Sequence, residues 1–222
     1  MPELVLWDID HTLMATRGVG GELWAVAFEQ VTGVRLREQA SVTGSTERVI
    51  LRKTALLHGV DYDESLFTRF ADALGAVHLR RAAELRERGH ALPGAAAALA
   101  ALEERGVRQS VVTGNVRAAA DVKLAVFGLD AYLLLDDGAY GEDGEERPEL
   151  LRKALARAGV AASAAVFLGD TPADVAGGHA AGVRVVAVAT GKTSAAELRD
   201  AGADVVLDSL ADTARVLDAV QA

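Results

Sequence analysis

The run Leu4-Val5-Leu6-Trp7-Asp8-Ile9-Asp10-His11-Thr12 decides how this chain is read. Four apolar residues end abruptly in two aspartates placed two positions apart. A short, continuously apolar run suits a strand buried on both faces of a parallel sheet. In an extended turn, residues two apart point the same way, so Asp8 and Asp10 can face one ligand. Further β-type runs occur at 108–112, 164–168, 183–188 and 204–207. Helical patterns lie between them at 95–104, 118–127, 149–158, 173–181 and 211–220, and Gly106, Gly128, Gly159 and Gly182 follow helices where a left-handed C-terminal cap favours glycine. The alternation predicts an α/β fold: a doubly wound, Rossmann-like parallel sheet with right-handed crossovers. Such sheets bind ligands beyond the carboxyl ends of their strands.

One stretch departs from the alternation. Residues 15–92 contain no convincing strand and read as helices over 21–31, 46–58 and 63–88, broken by Gly33, Gly44 and Gly59. Pro93-Gly94 returns the chain to the sheet. We therefore expect an all-helical cap over 15–92, inserted into a core formed by 1–14 and 93–222.

Composition narrows the chemistry. The chain has 222 residues, 50% of them hydrophobic, and no cysteine, which excludes disulfides, thiolate metal sites and a cysteine nucleophile. The formal charge of −9 argues against non-specific nucleic-acid binding, which needs Lys and Arg to neutralise phosphates. No apolar run reaches the ~20 residues of a membrane span, and Met1-Pro2-Glu3 leads directly into the first strand with no signal peptide. The expectation is a cytoplasmic protein, monomer or homodimer, with no membrane or nucleic-acid partner.

Three strand ends carry the polar residues. The first leads into Asp8 and Asp10, the second into Thr113-Gly114-Asn115, and the third into Gly169-Asp170-Thr171-Pro172-Ala173-Asp174. Neighbouring carboxylates raise each other's proton affinity, so such crowding calls for compensation. A hard divalent cation with oxygen ligands, Mg²⁺ before Zn²⁺, is the simplest remedy. Asp174 lies one helical turn after Asp170 and on the same side.

These three motifs, in this order and after expected strands, resemble those of the haloacid dehalogenase superfamily. Gly44-Ser45-Thr46-Glu47, Leu92-Pro93-Gly94 and Phe127-Gly128-Leu129-Asp130 look like the patterns of its phosphoglycolate-phosphatase-like members. The resemblance implies a Mg²⁺-dependent phosphatase acting on a small phosphorylated metabolite. It implies Asp8 as nucleophile and metal ligand, and Asp10 as general acid and base with its carbonyl on the metal. It further implies Thr113 as a phosphoryl-binding hydroxyl beside the backbone of Gly114 and Asn115, with Asp170 and Asp174 completing the metal site. A sugar phosphomutase and a phosphate-binding regulatory protein are the competing readings.

The chain also departs from the family pattern. Where the family places a lysine before a proline, this sequence has Arg147-Pro148. An arginine supplies the charge with a different reach. Arg147 is therefore the expected cation beside the nucleophile and phosphate, with Lys153, Lys123 and Lys192 as competitors. His11 stands where glycine is usual. His58, His78, His90 and His179 read as structural, Trp7 and Trp24 as packing residues, and the acidic stretch 136–146 as a solvated loop. Arg17 and Arg48 are cap cations that could reach an anionic substrate tail, with surface ion pairing as the default.

Overall fold

The computed structural model describes residues 1–221. In chain order the elements are β1 (Leu4–Trp7), β2 (Met14–Ala15), α1 (Val19–Thr32), α2 (Glu47–Leu57), α3 (Glu64–Arg80), α4 (Ala82–Arg88), β3 (His90–Ala91), α5 (Ala95–Glu103), β4 (Arg108–Val111), α6 (Arg117–Val126), α7 (Arg147–Ala158), β5 (Ala165–Gly169), α8 (Pro172–Ala180), β6 (Arg184–Val188), α9 (Ala195–Asp200), β7 (Val205–Leu207) and α10 (Thr213–Gln221). The larger sheet is wholly parallel, in the order β4-β1-β5-β6-β7.

Both faces of this sheet are covered, as its apolar strands require. Alternation along β1 sends Val5 and Trp7 into a core shared with α5, α10 and the inserted helices, and Leu4 and Leu6 into a core with Phe167 and α7. The chain leaves β1 for β4 on one side and returns to β5 on the other. The carboxyl end of β1 is therefore the switch point where such sheets form their ligand crevice. Gly106, Gly128, Gly159 and Gly182 all have φ between 65° and 75°, the left-handed C-caps that the sequence signals.

The sequence and the structure differ at three places. The stretch expected to be free of strands opens and closes on one: Met14 pairs with Ala91 and Ala15 with His90, antiparallel. Two-residue strands carry no periodicity, so only tertiary pairing defines them. The helix expected over 63–88 is interrupted at Arg81, whose φ of −108° and ψ of 21° leave the helical region. Finally, α9, capped by Ser194 and Glu197, has no counterpart among the helical patterns of the sequence.

Candidate active site

The ladder of the parallel sheet places the strand ends side by side. Trp7 pairs with Val111 on one side and with Leu168 on the other, so the residues that follow each strand meet at one edge. Asp8, Asp170 and Asp174 are all buried there, with carboxylate oxygens within 4.8 Å of one another. Asp174 is held by the cap of α8. Its Oδ2 accepts from the Thr171 backbone N–H at 3.0 Å and the Thr171 hydroxyl at 2.7 Å, which leaves Oδ1 for the cluster.

Arg147, the first residue of α7, reaches the same cluster. Its Nε lies 2.8 Å from Asp174 Oδ1, its Nη1 lies 3.5 Å from Asp8 Oδ1, and Nη1 donates to the Val112 carbonyl at 3.2 Å. Lys153 does not come near; it donates to the Asp143 carbonyl on the surface. Lys192 lines the rim of the cavity from an exposed position.

Asp10 faces a different neighbour. Lys123, buried on α6, donates to its Oδ1 at 2.9 Å and Oδ2 at 2.7 Å, and to Asn115 Oδ1 at 2.6 Å. The Asn115 amide donates to Asp10 Oδ2 and to Thr113 Oγ1, both at 2.7 Å. Asn115, Thr113 and Asp10 thus form one array with Lys123. The signal that could have promoted Lys123 is its place on the buried stripe of α6 with Ala119, Ala120 and Leu124. Lysines are almost never buried without a partner.

Electrostatics separate the two aspartates of the first strand end. Burial pushes the Asp8 carboxyl well up; the Arg147 charge opposes this, and the carboxylates of Asp174, Asp170 and Asp10 add to it. Asp170 is pushed up to about 7 by burial and then by Asp174 and Asp10. For Asp10, burial raises the value but the Lys123 charge and hydrogen bond outweigh it, and the net shift is downward. Protons would thus be retained on the Asp8–Asp170 side unless a cation replaced them. Three buried oxygen donors in one cluster, with no thiolate or imidazole among them, fit a hard divalent ion.

A cavity of about 260 Å³ lies above these groups. Its other wall comes from the helical insertion and includes Trp24 and His78, which the sequence reads as packing and structural residues, and Glu47, the last residue of the Gly44-Ser45-Thr46-Glu47 motif. The insertion approaches closely at Gly114. The Glu47 N–H donates to the Gly114 carbonyl at 2.8 Å, and a Cβ on Gly114 would lie 2.3 Å from the Ser45 carbonyl oxygen. Only glycine allows this approach. Glu145 of the acidic stretch pairs with Arg52, Asp143 with Arg157 and Asp136 with Arg117, so these three acids are used in ion pairs. Arg48 pairs with Glu64 and stands 4.1 Å over the Phe67 ring.

The chain is similar to known proteins in sequence and in fold. A phosphoglycolate phosphatase (plasmid) of Cupriavidus necator is 37% identical over 140 residues, 63% of this chain and 61% of that protein's length. A phosphoglycolate phosphatase of Nitrosococcus oceani is 26% identical over 223 residues, 97% of this chain and 96% of its own. The crystal structure of a hydrolase from Pseudomonas syringae superposes with a TM-score of 0.72, covering 98% of each chain at 18% identity, a likeness of fold. The family model for haloacid dehalogenase-like hydrolases matches residues 2–182, and the chain belongs to that family.

Proposed function

We propose that this chain is a Mg²⁺-dependent phosphatase that hydrolyses a small phosphomonoester through a phosphoryl group carried on Asp8. The observation that carries the reading is the meeting of Asp8, Asp170 and Asp174 beside Thr113 and Arg147 at one sheet edge. Asp8, Asp170, Asp174 and the Asp10 carbonyl would hold the ion. When bound, it supplies neutralising charge to the phosphoryl oxygens and to the crowded carboxylates.

The remaining work belongs to the chain. A carboxylate oxygen of Asp8 attacks phosphorus, the bond to the ester oxygen breaks, and the leaving alcohol takes a proton from Asp10. Water then attacks phosphorus and gives its proton to Asp10. The bond from phosphorus to Asp8 breaks, releasing inorganic phosphate and restoring the carboxylate. The Lys123 pair favours the ionised form of Asp10, which suits the second step, whereas the first step draws on the protonated form that this pair disfavours. Thr113 and the backbone of Gly114 and Asn115 orient the phosphoryl group, and Arg147 neutralises it. The helices of 15–92 act as a cap on the core of 1–14 and 93–222; the β2–β3 pair at their root supports this division.

The test uses p-nitrophenyl phosphate with Mg²⁺ or with EDTA, beside the Asp8→Asn variant. Turnover is expected with Mg²⁺ only and is lost in the variant by about four orders of magnitude or more, as for removal of a nucleophile. Equal turnover in the variant would exclude Asp8 as nucleophile.

A further inference from the structure

The part of the cavity wall contributed by the helical insertion has a distinct chemistry. Its lining includes Trp24, Gln39, Glu47 and His78, and among the described residues neither a lysine nor an arginine of the insertion joins it. The Trp24 indole N–H donates to Glu47 Oε2 at 2.6 Å, which fixes the carboxyl and leaves Oε1 without a hydrogen bond among the described residues. Burial pushes this carboxyl up to about 7.

His78 adds a second acceptor. The Leu74 carbonyl lies 2.9 Å from its Nδ1, and a carbonyl can only accept, so Nδ1 carries the proton and Nε2 the lone pair. His78 is 2% exposed, and Nε2 has no hydrogen-bond partner among the described residues. A buried acceptor left unpaired is costly, so a donor on a ligand would relieve it. Burial, and then the Lys123 ammonium, push the imidazole down to about 4, so the ring is neutral near pH 7.

On the core side, the lining cations Lys123 and Arg147 are already paired with carboxylates, and Lys192 at the rim makes no ion pair among the described residues. The insertion therefore places a carboxyl and a neutral imidazole acceptor in the wall of the cavity. Two hydroxyl groups, one donating to each, satisfy both. A carboxylate in the same place would face another carboxyl and a lone pair, with no cation from that wall.

We propose that the alcohol half of the substrate is an uncharged polyol or sugar whose hydroxyls donate to Glu47 and His78, and that these two residues disfavour phosphoglycolate. The inference rests on the phosphatase reading for its hydrolytic step, but the recognition of the alcohol stands on the wall alone. Glu47 and His78 are thus specificity-determining residues.

The experiment has two arms. The first compares kcat/KM for glycerol 3-phosphate, erythritol 4-phosphate and ribose 5-phosphate with that for phosphoglycolate, with Mg²⁺ near neutral pH, in the wild type, Glu47→Gln and His78→Leu. The second measures equilibrium binding of the same esters to Asp8→Asn by calorimetry. At least one polyol or sugar ester should exceed phosphoglycolate tenfold or more in both arms, and each variant should narrow that ratio fivefold or more. Phosphoglycolate matching or exceeding every polyol ester in the wild type overturns the proposal whether or not the variants fold. So does a ratio unchanged in both variants. Binding with the expected preference but no turnover of any ester upholds the recognition proposal and defeats the phosphatase reading. Absence of both turnover and binding defeats both.

Discussion

Arg147 is enclosed by the two carboxylates it serves, with Asp174 Oδ1 2.8 Å from Nε and Asp8 Oδ1 3.5 Å from Nη1. Removing it leaves buried acids facing one another and takes a charged donor from the proposed phosphoryl position. Arg147→Ala should lower kcat about a hundredfold or more, the scale of losing one oriented donor. Lys153→Ala, which removes a surface contact, should stay within about twofold. The opposite order in steady-state kinetics would move the cationic role from Arg147 to Lys153. At His78 the measurable quantity is stability. Its imidazole titrates at about 4 when folded, against about 6.5 in the unfolded chain. As pH falls below about 6.5 the unfolded state takes the proton first, so stability declines until the folded ring also titrates. Glu47, raised to about 7, slopes the other way over part of this range but is present in both proteins compared. Urea unfolding should therefore show the wild type losing roughly 1.5 kcal/mol more than His78→Gln between about pH 6.5 and 5. Parallel curves would contradict a neutral, buried His78.

Among the elements, the pairing of α3 with α6 positions the cavity wall, since α3 carries His78 and α6 carries Lys123. The two helices meet where a Cβ on Gly75 would lie 2.4 Å from the Ala118 Cβ. In an exposed helix, replacing glycine by alanine gains up to about 1 kcal/mol. Here Gly75→Ala should instead destabilise by about 1–3 kcal/mol in denaturant unfolding, because the helices must separate. A stabilised variant would show that the helices are not packed this closely. The sheet strands were legible where the run is apolar on both faces, as in β1, β5 and β7, and the C-caps because glycine marks them. The β2–β3 pair and the interruption at Arg81 were not, since neither leaves a periodic or turn-residue signature. The same contrast holds within the site. Strand-end acids announce themselves by clustering in sequence, whereas Lys123, Glu47 and His78 come from helices far apart in the chain. On those helices a polar residue looks like part of an amphipathic pattern.

At the scale of the molecule, charge is unevenly divided. Residues 15–92 hold 11 Lys and Arg against 10 Asp and Glu, a net of +1, so the remainder carries −10. Asp8, Asp10, Asp170 and Asp174 account for four of those acids at one sheet edge, three of them in a cluster suited to a cation. Among the described residues no helix is long and apolar enough to cross a membrane. An acidic chain can therefore act on an anionic ester when its carboxylates hold a metal and the facing wall is nearly neutral. The central claim is that Asp8 carries the phosphoryl group. It is tested most directly by acid-quenching Asp10→Asn, whose second step lacks its base, during reaction with p-nitrophenyl phosphate and Mg²⁺, followed by peptide mass spectrometry. A phosphoryl adduct is expected on the peptide containing Asp8, absent from Asp8→Asn. Turnover with no adduct on that peptide in any quenched sample would contradict it.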